Sequence, residues 1–529
     1  MHLSVFYASA ALVPLVLGQK DPGYPVKNPS ISFWQLPAHP DVADHQSEKL
    51  PESADVVIIG SGVAGTSVAW HLLMEHKNNS TTKMPKVAML EARQACSGAT
   101  GRNGGHIRPS TYEDYEVNKQ FTTKEEAAKI AKLRVHHVDA LIRAANKLPE
   151  AARKASSVRE VDSLDVFFEE DKWARALEQY ETLKKEIPEI AAEFGRLDRE
   201  EARRISLMPN AVGALSGTGK VAGAIWGYRF ITNSLKMLLD TYPSLSLDTN
   251  TTAMEVKALK GSTHNFEVTT SRGSILTNHV VHASNSWAPH FVPILGNTLG
   301  GGILATSAQL GGAGLPKAGE WPAYQNVSLP GGRAWSIFAN GGLDYIVQNP
   351  EFGEYIVGGG AGISQTDKAS DLSPYDDSGF PARPLAAYLN GALSSYFGYD
   401  NWGAERTDYP TNLHKDIYQG RTKRTWTGIE GFTADQLPLV GPLSTQQTQR
   451  AVANPAAGKE WVTAGYNGEG MTYAWLSGKA LSQMLQSHQA NKTTDEALFE
   501  WFPKAFLPSD ARLQKQNTTA TRRSITRRG

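Results

Sequence analysis

The sequence predicts an α/β protein with a Rossmann-type dinucleotide-binding domain and a second α+β domain built on a mixed or antiparallel sheet. Three observations lead to this prediction. The chain has 529 residues, more than the roughly 250–300 that one hydrophobic core supports. Residues 55–91 have the pattern strand, glycine turn, helix and strand, which is typical of a βαβ unit. Glycine-rich segments alternate with short strands between residues 300 and 357, which indicates a sheet of a different kind.

The N-terminal unit begins with Asp55–Ile59, an apolar run with β-branched residues, as in a buried parallel strand. The motif Gly60-Ser61-Gly62-Val63-Ala64-Gly65 follows and opens a helix. Such glycine spacing arises by chance roughly 0.4 times in a chain of this composition, so the context carries the prediction. A second buried strand, Val87–Leu90, ends at the acidic residue Glu91. An acid at this position accepts hydrogen bonds from ribose hydroxyls, and the helix N-terminus attracts a pyrophosphate.

The loop after Glu91 contains the run Cys96-Ser97-Gly98-Ala99-Thr100-Gly101-Arg102-Asn103-Gly104-Gly105-His106. Its small and polar residues offer backbone N–H groups that can form an anion-binding nest. Arg102 is expected to offset charge on a phosphate or on a reduced flavin. A flexible surface loop with a solvated arginine is the alternative interpretation.

With this loop, the sequence resembles the D-amino-acid-oxidase-like superfamily of FAD-dependent oxidoreductases, which includes sarcosine oxidase and glycine oxidase. The resemblance extends from about residue 55 to residue 485, and the loop is most similar to a fungal and bacterial branch. The chain is identified as a fungal, secreted-type member. The resemblance implies FAD as the cofactor.

Three further segments carry the resemblance: residues 280–287, 426–441 and 464–471. In the family, the first ends against the cofactor, the second follows the isoalloxazine edge, and the third places a helix N-terminus near the flavin. The strand at Glu255–Val256 is implied to contact the adenine through its backbone. The residues predicted to bind the cofactor are Gly60, Ser61, Gly62, Val63, Ala64, Gly65, Glu91, Ala92, Arg93, Ser97, Thr100, Gly101, Arg102, Asn103, Gly104, Gly105, Val256, Ser284, Asn285, Gly468, Gly470 and Met471.

The catalytic residues are not determined by the sequence, but four candidates emerge: Arg102, His106, Tyr345 and Glu469. Some relatives attach FAD covalently, so a histidyl link through His106 stays open, while Cys96 fits a small buried residue better. Glu469 stands where relatives often have histidine. It is expected to bind a cationic amine, to cap the helix that follows or to be solvated. Tyr345 is expected either to line the substrate side or to pack in the sheet.

The resemblance and the composition together divide the chain. The expected segments are a signal peptide (1–18), an extended surface arm (19–53), a discontinuous FAD-binding domain (54–110, 215–290 and 420–487), a discontinuous substrate domain (111–214 and 291–419) and a C-terminal tail (488–529).

Residues 1–18 contain a short apolar stretch before small residues at 16 and 18, as in a secretory signal. Cys96 is the only cysteine, so the chain forms no internal disulfide. Six sequons, at Asn78, Asn79, Asn250, Asn326, Asn491 and Asn517, are compatible with secretion. Apart from the basic segment 522–528, which is expected to be a disordered tail, 53 basic and 53 acidic residues balance, so nucleic acid is not an expected partner. Neither a metal site nor a stable membrane span is expected.

The resemblance implies that the protein oxidises a C–N bond of an amino acid or amine, transferring hydride to flavin N5, with O₂ as the acceptor. Two alternatives remain. One is a flavin-dependent oxidase that tailors a secondary metabolite, with a large pocket lined by Trp226, Trp287 and Trp335. The other is a non-catalytic flavoprotein. Residues 223–228 and 300–314 depart from known relatives and are expected to shape the substrate pocket.

Overall fold

The computed structural model describes residues 21–79, 83–312, 314–318, 320–322, 332–339, 342–360, 373–379, 383–402 and 421–513. The expected signal peptide and the basic segment 522–528 lie outside the described residues. Of the helices within these ranges, none combines the length and the apolarity that a membrane crossing needs.

The strands are β1 (Ser53–Ile59), β2 (Val87–Leu90), β3 (His106–Ile107), β4 (Arg159–Glu160), β5 (Asp162–Phe167), β6 (Phe194–Leu197), β7 (Gly213–Gly217), β8 (Gly223–Ala224), β9 (Leu245–Asp248), β10 (Ala253–Ala258), β11 (Phe266–Thr270), β12 (Gly273–His282), β13 (Leu299–Leu310), β14 (Arg333–Ala339), β15 (Gly342–Gln348), β16 (Glu354–Gly359), β17 (Thr422–Thr433), β18 (Leu439–Pro442) and β19 (Glu460–Ala464). The α-helices are α1 (Val63–Asn79), α2 (Thr111–Asn118), α3 (Lys124–Ala145), α4 (Glu150–Ser156), α5 (Glu170–Glu186), α6 (Pro188–Ala191), α7 (Arg199–Ser206), α8 (Gly227–Thr241), α9 (Ala288–Phe291), α10 (Arg383–Trp402), α11 (Thr445–Thr448), α12 (Ala474–Gln489) and α13 (Leu498–Trp501). Short 3₁₀ turns occupy Phe33–Gln35, Ala99–Gly101, Asn285–Trp287, Pro293–Asn297, Gly470–Thr472 and Lys504–Phe506.

The first sheet confirms the predicted Rossmann unit. Strands β19, β12, β1, β2 and β9 run parallel in that order, and β10 and β11 extend β12 as an antiparallel meander. Parallel strands covered on both faces are apolar throughout, and β2 is buried along its whole length. The register aligns Ile59 with Leu90 and with His282, so the carboxyl ends of β1, β2 and β12 meet at one edge.

The second sheet has the order β17-β13-β16-β15-β14-β5-β7-β6 and is antiparallel except between β14 and β5. This confirms the mixed sheet that the glycine-rich segments predicted. Helix α10 packs on it around Trp335 and Phe397, which are fully buried. The expected domain limits need correction, because β7 and β17 pair in this sheet although residues 215–290 and 420–487 were assigned to the FAD-binding domain. Their hydrogen-bonding partners, β5 and β13, lie far away in sequence.

Two segments predicted to be peripheral are part of the core. The arm was expected to run over the surface, but Ser32, Trp34 and Val42 are buried. The tail after residue 488 places Phe502 and Phe506 in the same hydrophobic core as α1 and α12, through α13 and the turn that follows it. Both ends of the described chain are therefore held in the core by a few apolar residues within segments that are otherwise polar.

Candidate active site

A cleft begins at the carboxyl edge of the first sheet and continues to the second sheet. Its walls come from β1, β2, the loop before β3, the turn after β12, the strands β13, β15 and β17, and the turn before α12. Of the residues predicted to bind the cofactor, those that line the cleft are Gly60, Ser61, Gly62, Val63, Ala64, Glu91, Ala92, Arg93, Thr100, Asn103, Gly104, Ser284, Asn285, Gly468, Gly470 and Met471.

The nucleotide end of the cleft is organised around Glu91, at the end of β2. One carboxylate oxygen of Glu91 accepts hydrogen bonds from the backbone N–H (3.2 Å) and the hydroxyl (2.7 Å) of Ser61. The other accepts from the N–H of Arg93 at 3.1 Å. The Ser61 hydroxyl in turn accepts from the N–H of Cys96 at 2.9 Å, which ties the following loop to the glycine turn. The carboxylate is thereby fixed in place with lone pairs to spare for a ribose.

The start of α1 faces the same end. Thr100 lines the cleft, and its hydroxyl accepts a hydrogen bond from the N–H of Val63 at 3.0 Å. Gly60 has a φ of 114°, and a Cβ there would lie 2.6 Å from the carbonyl oxygen of Ala283. Only glycine allows the end of β1 to approach the end of β12 this closely. The first residues of α1, Val63 and Ala64, line the cleft, so the positive end of this helix can attract a phosphate there.

The position of Arg102 corrects its expected role. The Arg102 guanidinium does not line the cleft; it donates to the carbonyl oxygens of Ser97 (2.7 Å) and Thr427 (2.8 Å) and lies 3.5 Å from the Asp377 carboxylate. Asp377 also pairs with Arg93 at 3.0 Å. Burial lowers the pKa of Arg102 to about 10. Its charge is therefore used to hold the loop against β17 and not to offset charge on the cofactor.

Five other predicted cofactor residues do not line the cleft: Gly65, Ser97, Gly101, Gly105 and Val256. Gly65 packs α1 against the glycine turn, as expected of the third glycine. The strand expected to contact the adenine is β10. It lines the cleft at its beginning, through Thr252 and Ala253, and not through Val256.

The far end of the cleft carries His106 and Tyr345, two of the four catalytic candidates. Their rings lie 6.2 Å apart. Burial, with a smaller effect of Arg108, lowers the pKa of His106 to about 3, and its Nε2 has no hydrogen-bond partner among the described residues. Burial also raises the pKa of Tyr345 well above its ordinary value, and its hydroxyl lies 3.2 Å from that of Thr306. Both side chains are uncharged near pH 7.

Glu430, on β17, lines this end of the cleft and was missed by the sequence analysis. Burial, and then the charge of Glu469, raises its pKa to about 7. The residue lies inside the segment 426–441, where a single acid stands between Ile429 and Gly431. An acid placed directly between Ile429 and the run Gly431-Phe432 was the available signal.

Glu469, the fourth candidate, does not cap a helix, so that part of its interpretation is wrong. Its carboxylate pairs with Arg134 of α3 at 2.5 Å, and its side chain makes no capping hydrogen bond. Arg134 is buried, lies over the ring of Tyr473 and also pairs with Asp114 at 2.8 Å. The two acids together raise the pKa of Arg134 despite its burial. Arg108 also lines the cleft and was missed by the sequence analysis. Like Arg134 it is held in an ion pair, with its guanidinium 2.6 Å from the Asp165 carboxylate.

The aromatic pocket expected for a tailoring oxidase is not formed. Trp287 lines the cleft, but Trp226 packs against Trp34 in the core of the first domain and Trp335 lies in the core of the second. Of the two divergent segments, residues 300–314 contribute Leu304, whereas residues 223–228 contribute nothing to the lining.

The cleft fits an extended, polar cofactor. Three buried polar atoms on its walls have no hydrogen-bond partner among the described residues: the hydroxyl of Ser284, the indole N–H of Trp287 and Nε2 of His106. Buried polar atoms are rarely left unpaired in native structures, so their clustering here indicates a ligand that pairs with them. Together with the glycine turn, Glu91 and the open start of α1, they suit FAD. Within the described ranges, no group of three or more His, Cys, Asp or Glu side chains could hold a metal ion.

The sequence matches the family described as "FAD dependent oxidoreductase" (DAO) over residues 55–484. The chain belongs to this family. FAD is therefore its cofactor, and the protein is an FAD-dependent oxidoreductase. No match was found among curated proteins.

Solved structures show the same fold at low sequence identity. Glycine oxidase from Geobacillus kaustophilus has a TM-score of 0.56 and 17% identity, with 86% of this chain and 99% of that chain covered. L-Proline dehydrogenase from P. horikoshii has a TM-score of 0.56 and 16% identity, with coverage of 86% and 98%. L-Amino acid deaminase from Proteus vulgaris has a TM-score of 0.57 and 14% identity, with coverage of 88% and 99%.

Proposed function

We propose that this flavoprotein oxidises a C–N bond of an amino acid or amine and passes the electrons to O₂. The observation that carries the proposal is the far end of the cleft, which the uncharged His106 and Tyr345 line together with Glu430. An end of the cleft that carries two acids, Glu430 and Glu469, beside these uncharged side chains suits a small amine. When bound, FAD supplies the two-electron oxidant that this chemistry needs.

The residues of the chain would act mainly by positioning the substrate. The Tyr345 ring is packed so closely on Gly104 that a Cβ at that glycine would overlap it. The loop that carries His106 is therefore fixed against β15, which excludes water from that wall. The solved structures that share the fold are named for the oxidation or deamination of amino acids, which supports the same reaction class.

The test uses the purified holoenzyme and a panel of amino acids and primary, secondary and tertiary amines. The expected result is O₂ uptake with stoichiometric H₂O₂ and, from primary amines, ammonia. Flavin reduction without O₂ uptake would instead identify a dehydrogenase. A yellow protein whose flavin is reduced by none of these compounds would contradict C–N oxidation and favour a different substrate class.

We also propose that the protein enters the secretory pathway, as the apolar stretch in residues 1–18 suggests. In support, Asn250 and Asn491 are sequon asparagines whose side chains are exposed. Expression of the full chain in a eukaryotic host, followed by N-terminal sequencing of the medium, is expected to give a chain that starts near Gln19 and is sensitive to an endoglycosidase. An unprocessed and unglycosylated chain inside the cells would contradict the proposal.

A further inference from the structure

The charges at the far end of the cleft do not suit an anionic substrate. Arg108 is the cation on this wall, and its guanidinium is fully buried in a pair with Asp165. Its Nε donates to the Ser163 hydroxyl at 3.0 Å, and the guanidinium stacks on the ring of Phe194 at 5.0 Å. A substrate carboxylate would have to compete with Asp165 for this group.

Apart from Arg108, the charged side chains that line this end are the acids Glu430 and Glu469, and Glu469 is paired behind the lining with Arg134. Glu469 shares Arg134 with Asp114, so this cluster has two carboxyl groups for one guanidinium. Glu430 adds a third acid, and among the described residues its carboxyl group makes no hydrogen bond or ion pair. His106 and Tyr345 contribute no positive charge.

The Glu430 carboxyl is placed to receive a ligand. One oxygen lies 3.5 Å from the position that a Cβ on Gly468 would occupy, so the group lies beside the turn that leads into α12. The titratable groups that act on it are Glu469, on that turn, and Tyr345, on β15. A partly buried acid without a partner is costly unless a cation or a proton joins it.

We propose that the substrate binds as a cationic amine whose ammonium group pairs with Glu430, and that a carboxylate on the substrate is not required. The proposal rests on C–N oxidation in this cleft and narrows its substrate class from amino acids and amines to amines.

Glu430 would also prepare the amine for oxidation. The ammonium N–H bond breaks, its proton goes to the Glu430 carboxylate, and the electron pair stays on nitrogen. No electrons leave the substrate in this step. The neutral amine is the form that can give up a hydride from its α-carbon, and the two-electron oxidant is the FAD of the holoenzyme.

The test compares matched compounds in the wild-type holoenzyme. One set is benzylamine, phenylglycine and phenylacetate, and another is isobutylamine, valine and isovalerate; within each set the compounds differ only in the amino and carboxylate groups. Binding without turnover is measured by the flavin absorption change with α,α-dimethylbenzylamine, which has no hydrogen on the α-carbon. The amines are expected to reduce the flavin at least 10-fold faster than the amino acids, and the carboxylates are expected not to bind.

Glu430→Gln and Glu430→Asp then test the residue, with Glu178→Gln as the matched control, since Glu178 is exposed on α5. Removing one partner of a buried charge pair is expected to lower kcat/KM for amines and to weaken α,α-dimethylbenzylamine binding by roughly 30-fold or more, with FAD content unchanged. The wild-type kcat/KM is expected to rise with pH through about 7, as Glu430 ionises, and the glutamine variant is expected to lose this limb. Glu430→Asp is expected to keep part of the rise of kcat/KM with pH.

Three results would overturn the proposal. They are faster reduction by the amino acids than by the amines, binding of the carboxylates in preference to α,α-dimethylbenzylamine, and an unchanged pH profile in Glu430→Gln. If the amino acids alone reduce the flavin, C–N oxidation stands and the narrower substrate class fails. If no compound in either set reduces or binds, the proposed function fails with it.

Discussion

Replacement of Glu430 by glutamine is expected to stabilise the substrate-free holoenzyme at pH 8 but not at pH 5. The pKa of this carboxyl is raised from 4.5 to about 7 in the folded protein. Between these pH values the unfolded chain has already lost the proton that the folded chain retains, so the stability of the wild type falls as pH rises. Raising the pKa from 4.5 to about 7 lowers the free energy of unfolding by about 3 kcal/mol once the carboxyl group is ionised. Solvent in the cleft screens the charge and reduces this loss, so the glutamine variant is expected to be more stable by about 1–3 kcal/mol at pH 8.

Thermal unfolding of the two proteins between pH 5 and 8 measures this difference. For a chain of roughly 500 residues the unfolding entropy is near 1 kcal/mol per kelvin, so Glu430→Gln is expected to raise the Tm by about 1–3 °C at pH 8. The increase in Tm of Glu430→Gln over the wild type should shrink towards zero at pH 5. The Tm of Glu178→Gln should stay close to that of the wild type at every pH. A Tm difference that is constant with pH, or a less stable glutamine variant at pH 8, would refute the assignment of a buried, proton-retaining acid.

Three further changes test other parts of the structure. Gly60→Ala is expected to abolish FAD binding, because its Cβ would collide with a backbone carbonyl, whereas Gly391→Ala, in open space on α10, should keep full flavin content by absorbance. Arg134→Leu leaves two acids without their cation and should cost about 3–5 kcal/mol in a denaturation series, against under 1 kcal/mol for the exposed Arg143→Leu. Tyr24 of the arm lines the nucleotide end, so Tyr24→Ala is expected to speed FAD release several-fold in a fluorescence dilution assay, and an unchanged rate would show that the arm does not retain the cofactor.

The nucleotide end was predictable because its signals are local. A buried strand, a glycine turn, a helix and a second strand with an acid at its end occupy residues 55–91, and parallel pairing brings Gly60 and Glu91 to one edge. The loop after Glu91 was also placed correctly beside them, since Cys96 N–H binds the Ser61 hydroxyl.

The substrate end was less predictable because its partners are distant in sequence. Arg93 and Asp377 are 284 residues apart, and nothing near either one indicates the pair that also engages Arg102. The raised pKa of Glu430 depends on its burial in the folded protein and on Glu469, and its neighbours in sequence reveal neither. Likewise, the sequence did not indicate that β17 belongs to the second sheet.

The most direct test of C–N oxidation is a single anaerobic turnover. The oxidised holoenzyme is mixed with an excess of each amine or amino acid in a sealed cuvette, and the flavin absorption near 450 nm is followed. We expect at least one amine to bleach this band completely, with the imine or its hydrolysis product formed in equal amount and the colour restored by O₂. A fully loaded flavoprotein that stays oxidised with every amine and amino acid, yet is bleached by dithionite, would contradict the proposed reaction.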